Sequence, residues 1–350
     1  MIATGIAYNK QVSFALLARA ERSWRFTGGD GMRQWMVSAS VIVPLAAGMH
    51  VCAQTYPDRP IRLVVPYAPG GNLDITARII GPPLAEALGQ PIVVENNGGA
   101  GGTIGVDRVA KSVPDGYTLA LGATGPITLA PILYAKNPYD TLTDLTPVGF
   151  VSNVPSVLLV HPALPAKNVQ EYIALAKARP GQVTLGGAGT SRACDLFQYQ
   201  TGIKVVLIRY YKGSGPGLID LMGGHIDSMF DQMSSAAVHM KSGRLRALAV
   251  GTPHRATLFP DIPTLGESGV KDAESITYSG VFGPAGLSRD IVAKLNGALN
   301  GVLAMPQTKE RFTSIGAEVW ASTPGQFAWF IRDDIAKWRK LAKQLDMKLE

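Results

Sequence analysis

The chain has 350 residues, 46% of them hydrophobic, which suits two packed domains better than one. Its net charge of +7 comes from basic residues scattered along the sequence with little aromatic interleaving, which speaks against a nucleic-acid surface. No apolar run is long enough to stay in a bilayer, and His161, His225, His239 and His254 stand at no metal-ligand spacing.

The first 53 residues read as a leader. Arg33 precedes the apolar stretch Trp35 to Val51, and Val51 and Ala53 put small residues at −3 and −1 of a cleavage site after Ala53. Residues 1–31 are unusually long and mixed in charge for such a segment, so translation is expected to start at Met32. The mature chain is then an exported, periplasmic protein without a lipid anchor, carrying 28 basic residues against 24 acidic ones. That small excess fits an acidic small molecule without requiring one. Cys52 leaves with the leader, and Cys194 reads as a small buried hydrophobe that forms no disulfide.

From Ile61 onward, short apolar runs alternate with amphipathic ones. Strands are expected at 61–65, 91–94, 117–121, 147–151, 157–160, 183–186, 204–208, 226–230, 244–250 and 278–282. Helices are expected at 73–88, 104–111, 168–178, 193–201, 214–222 and 233–241. Many strands are continuous apolar runs, the mark of a parallel sheet covered on both faces, so the class is α/β. Beyond 284 only helices follow, at 288–304, 306–314 and 324–346, and they need an existing sheet to pack on. This gives a discontinuous first domain, 54–155 with 278–350, and a second domain, 156–277, with crossings near 155 and 277.

Two glycine-rich turns each close a strand and open a helix. One is Pro66-Tyr67-Ala68-Pro69-Gly70-Gly71 with Asp74; the other is Asn96-Asn97-Gly98-Gly99-Ala100-Gly101-Gly102-Thr103. Such turns aim backbone N–H groups at a ligand, and the following helix adds its positive end. The chain holds no G-x-S-x-G elbow and no P-loop. Gly99 to Gly105 approaches a dinucleotide fingerprint, but its third glycine falls one residue late. Asp227 and Asp231, four apart on a strand, would lie about 13 Å from each other, so a turn or ligand role suits Asp231 better than acid–base work.

The order of motifs closely resembles one family from about Tyr56 to the end. It comprises Tyr56-Pro57-Asp58-Arg59-Pro60 running into Pro66-Tyr67-Ala68-Pro69-Gly70-Gly71, then Leu88-Gly89-Gln90-Pro91, then Pro114-Asp115-Gly116-Tyr117. Tyr211-Lys212-Gly213, Gly243-Arg244-Leu245-Arg246 and Phe259-Pro260-Asp261-Ile262-Pro263-Thr264 complete it. The chain is similar to the tripartite tricarboxylate transporter substrate-binding receptors, the Bug-type periplasmic binding proteins. The resemblance implies a two-domain, type II-like periplasmic binding protein fold with the ligand cleft between the domains, and a monomer with no enzymatic activity and no cofactor. It also implies a small carboxylate ligand handed to the membrane permease subunits of a tripartite transporter; a ligand-presenting partner of a sensor protein and a dehydrogenase-like α/β enzyme stay open. By motif, the ligand-binding residues are Ala68, Pro69, Gly70, Gly71, Asp74, Ala100, Gly101, Gly102, Thr124 and Gly125 from the first domain. Thr190, Ser191, Tyr211, Lys212, Gly213, Phe230 and Asp231 come from the second. The sequence departs from the pattern at 190–197, which is two or three residues short, at 207–213, which is one longer, and at Asn97-Gly98, which replaces Arg-Pro. Arg192, inside the shortened stretch, stands to make a direct ion pair or to lie on the surface.

Overall fold

The alternation of apolar and amphipathic runs becomes an alternation of strands and helices, seen in a computed structural model that describes residues 56–189 and 192–344. The leader expected at 1–53 and the site candidates Thr190 and Ser191 lie outside the described residues. Strand β1 (Ile61–Val65) leads to α1 (Asn72–Leu88), β2 (Ile92–Asn96), α2 (Thr103–Ala110) and β3 (Thr118–Ala123). A π-wound turn, Thr124–Leu129, continues into α3 (Ala130–Leu133). No helix is expected there from the sequence, and Gly125, Pro126 and Pro131 are poor helix formers. Thr141 Oγ1 donates to Ile127 O at 2.7 Å and Tyr139 Oη donates to Pro126 O, so tertiary bonds hold this turn.

The long strand β4 (Leu145–Val160) follows, then α4 (Val169–Ala178), β5 (Thr184–Ala188), α5 (Ala193–Thr201) and β6 (Val206–Tyr210). Next come α6 (Ser214–Met222), β7 (Ser228–Gln232), α7 (Met233–Lys241), β8 (Arg246–Val250) and β9 (Ile276–Pro284). The chain closes with α8 (Arg289–Ala304), α9 (Pro306–Ser314), β10 (Glu318–Val319) and α10 (Pro324–Gln344).

The strands join in the order β2-β1-β3-β9-β4-β7-β5-β6, with β8 and β10 also on β4. The sheet is mixed, which corrects the expectation of a parallel one. Its two ends are parallel (β1 with β2 and β3, β5 with β6 and β7), but every pairing of β4 and β9 is antiparallel. The cause is connectivity: β4 leads out of the first group of strands and β9 leads back, so they run in opposite directions side by side. The two strands expected at 147–151 and 157–160 are a single strand. Its polar middle is accommodated because Ser152 and Ser279 bond each other, Oγ to Oγ, at 2.8 Å. Between Pro155 and Ser156 the strand exchanges β9 for β7 as partner.

Beyond 284 the chain is not purely helical, since β10 pairs with Ser152 and Asn153 of β4. Helix α8 packs on α1 and β4, and α10 packs on β4 and the π-wound turn. Phe150 of β4 anchors α10, with ring centroids 4.9 Å from both Phe327 and Phe330. A separate apolar cluster around Leu158, Phe197 and Phe230 fills the other end of the sheet.

Gly105 sets how closely α2 sits on the first glycine turn: a Cβ there would lie 2.7 Å from Asn97 O and 2.9 Å from Pro66 Cα. Gly105→Ala is therefore expected to cost about 1–3 kcal/mol by overpacking. Gly297→Ala, at an exposed position of α8 with no neighbour within 4 Å, should instead stabilise by up to about 1 kcal/mol. Urea denaturation of both variants reads the two signs.

Candidate functional site

Strands β1 and β2 are parallel neighbours, so the two glycine turns emerge side by side at their carboxyl ends. The turns touch through backbone: a Cβ at Gly98 would lie 2.9 Å from Ala68 N. Asp74 shapes the first turn, its Oδ2 accepting the Gly70 N–H at 3.0 Å while Arg78 pairs with it at 2.9 Å. Burial alone would raise the Asp74 carboxyl; hydrogen bonds from Arg78 and the Gly70 amide outweigh it and hold the group below its ordinary range.

The opposite wall comes from the carboxyl ends of β5, β6 and β7, and the two walls meet. Ala68 N–H donates to Lys212 O at 2.8 Å, and Gly101 N–H donates to Tyr211 O at 3.1 Å. Two amides that the sequence assigns to a ligand are thus bonded across the cleft. Ser234 Oγ donates to Asn72 Oδ1 at 2.7 Å, a third link. Tyr67 fills the seam: its hydroxyl donates to Gly101 O at 2.9 Å, and its ring leaves room for no side chain at Gly189 or Gly213.

Between the walls lies a cavity of about 60 Å³. At 10–15 Å³ per water-sized position, that is space for roughly four to six of them. Gly71, Thr124, Gly125 and Gly213, four of the residues that the sequence reading assigns to the ligand, line it. The other candidates stand further back. Ala68, Gly101, Tyr211 and Lys212 form the cross-cleft bonds, and the side chains of Tyr211 and Lys212 face outward. Gly102 packs under the Tyr67 ring, Gly70 serves Asp74, and Pro69 and Ala100 are exposed. Phe230 does not reach the cavity, because it is 1% exposed and packs on Phe197 in the core. Asp231 supports the site from behind, accepting the hydroxyls of Ser214 and, at 2.7 Å, Ser235.

Sequence reasoning missed several lining residues. Asn72 and Ser214 follow glycines that it named, so they were within reach; Ser275 to Thr277 and Trp338 carry no local signal and arrive by tertiary folding. Arg192 lies in the lining and is 4% exposed, which settles its two readings against the surface one. Cys194 is fully buried, its Sγ donating to Gly186 O at 3.2 Å, and burial pushes its thiol up to about 12.

The electrostatics follow from the helix starts. The residues preceding α1, α5, α6 and α7 are Gly71, Arg192, Gly213 and Gln232, and all four line the cavity. The starts of α1, α6 and α7 have no side-chain cap from the residue that precedes them. Away from the cavity, α4 and α8 are capped by Asn168 and Ser288. Among the described residues the lining holds one cation, Arg192, and no carboxylate. Leu73, Leu129, Ile276 and Trp338 add apolar surface. The arrangement suits a small anion with a hydrocarbon part.

Residues 76–347 match the family described as tripartite tricarboxylate transporter family receptor. Protein BugT of Bordetella pertussis is 39% identical over 305 residues, covering 86% of this chain and 93% of that protein. Among solved structures, the periplasmic binding protein BugD aligns with a TM-score of 0.81 at 34% identity, over 84% of this chain and 100% of its own. MatC from Rhodopseudomonas palustris with bound malate gives 0.78 at 33% identity, over 81% and 99%. An R. palustris protein with adipate gives 0.81 at 33%, over 84% and 99%. The mixed α/β fold is that of these binding proteins.

Burial pushes the Asp231 carboxyl up to about 6, against the hydrogen bonds from Ser214 and Ser235. The folded chain therefore holds this proton more tightly than the unfolded one. The resulting stabilisation is complete below about pH 4 and is lost as pH rises through about 6. Relative to Asp231→Asn, the wild type is expected to lose up to about 3 kcal/mol of unfolding free energy between pH 4 and pH 7.5. A gap between the two proteins that stays constant over this range, in urea denaturation at each pH, would overturn the assignment.

Proposed function

The chain belongs to the tripartite tricarboxylate transporter receptor family, and from that premise we propose that its cavity captures a small carboxylate for delivery to the membrane permease subunits of such a transporter. One observation carries the reading: four helix N-termini, three of them without a side-chain cap, and a buried arginine surround one cavity whose lining, among the described residues, has no carboxylate. Relatives bound to malate and adipate support the ligand class. Capture works by closure of two lobes, 54–155 with 278–350 against 156–277, with the change of strand partner at Pro155 and Ser156 as the crossing. The reading is of a receptor without catalysis. Asp227 is held by the Thr184 amide and hydroxyl, each at 2.8 Å, and Asp231 sits behind Ser214, so the two do not make an acid–base pair. Residues 1–53 serve export, and N-terminal sequencing of the exported protein is expected to begin at Gln54.

The central test is a thermal-shift and titration screen of the mature chain against malate, succinate, adipate, glutamate and benzoate, with maltose and NAD as contrasts. An acid at 100 times its dissociation constant should add about 2.7 kcal/mol of stability. Stabilisation by maltose or NAD with silence from every acid would overturn the proposal.

A further inference from the structure

Arg192 precedes α5 in the shortened stretch of the second wall, and its side chain is 3% exposed. Its Nη1 donates to Asp195 Oδ2, one turn along, at 2.9 Å. Its Nε and Nη2 are buried with no protein partner. Buried guanidinium donors are almost always matched, so this pair calls for an acceptor. The two atoms are not an arbitrary pair. Nε–H and Nη2–H lie on one edge of the planar group and point in parallel, the edge that grips both oxygens of a carboxylate. Asp195 does not supply that grip: it meets Arg192 at Nη1, and both its oxygens accept Arg209 Nη2, at 2.7 and 3.0 Å. Arg192 itself lines the cavity.

A second donor lies within electrostatic reach of Arg192. Tyr134 Oη is also buried without a partner, and its ring packs among Leu129 and Trp338, which line the cavity. The Tyr134 hydroxyl is raised by burial and by Tyr211, while Arg192 and Arg209 pull it the other way, so both guanidiniums act on this hydroxyl.

We infer that Arg192 is the specificity-determining residue of the cavity: its Nε–Nη2 edge takes a ligand carboxylate in a direct bidentate ion pair. This rests on reading the cavity as a carboxylate site and adds a charged clamp to the backbone amides. A carboxylate fits the edge through two coplanar oxygens, and replacing it by a carboxamide puts an NH₂ against one of the two donors. The wall therefore selects acid over amide.

The experiment uses the acids of the panel above that bind the wild-type mature chain, their amide analogues, and inorganic phosphate and sulfate. Affinities are measured by calorimetry for wild type, Arg192→Met and Arg192→Lys. Arg192→Met leaves Asp195 paired to Arg209, and Arg192→Lys keeps the charge while removing the fork, so the second variant stands if the first fails to fold. Roughly a hundredfold loss of acid affinity is expected in Arg192→Met. At least tenfold loss is expected in Arg192→Lys, with the acid-over-amide preference reduced in both. Unchanged acid affinity in a folded variant would overturn the clamp and leave the receptor reading standing. Phosphate or sulfate binding more tightly than any acid would also overturn it. No acid binding to the wild type would overturn the clamp, and with maltose or NAD binding it would overturn the receptor reading as well.

Discussion

A single strand holds the architecture in register. β4 pairs with β9 as far as Pro155 and with β7 from Ser156, so the backbone of one 16-residue strand belongs to both ends of the sheet. Everything the cavity needs is placed relative to it: the glycine turns through β3 and β9, the opposite wall through β7, and the C-terminal helix through Phe150. A strand this long and this buried leaves its polar atoms no water. The bond between Ser152 and Ser279 answers that demand at the strand's centre.

Apart from Arg192, the charge of the cavity is written in backbone. Each helix start carries roughly half an elementary charge, and four of them converge here. A serine or aspartate cap at α1, α6 or α7 would turn an amide inward, which is what Asn168 and Ser288 do at α4 and α8, away from the site. Glycine before α1 and α6 brings no such competitor. Asp231 is kept behind Ser214 with a carboxyl that burial makes reluctant to ionise.

The strands and helices were largely legible because most of them follow one local rule, apolar periodicity between breakers. Where local rules fail, so does the reading. The turn at 124–133 looks like loop because its support, Tyr139 and Thr141, lies further along the chain. β4 looks like two strands because its polar middle is matched only by β9, more than a hundred residues later. The glycine turns were recognisable as a wall, yet which amides face the cavity depends on the carbonyls of Tyr211 and Lys212 opposite. Phe230 shows the limit of carrying a role by motif, since a residue one place from Asp231 on a strand points to the other face and enters the core.

The contacts that join the walls at Ala68–Lys212 and Gly101–Tyr211 run from main chain to main chain. Such a seal is blind to side-chain identity. Replacing Tyr211 or Lys212 by almost any other L-residue preserves the carbonyl, so alanine scanning of this rim would pass over the groups that hold it. The outward-facing side chains at those two positions are therefore released from the work of closure. Neither side chain is needed for the seal, because the path of the backbone alone carries it.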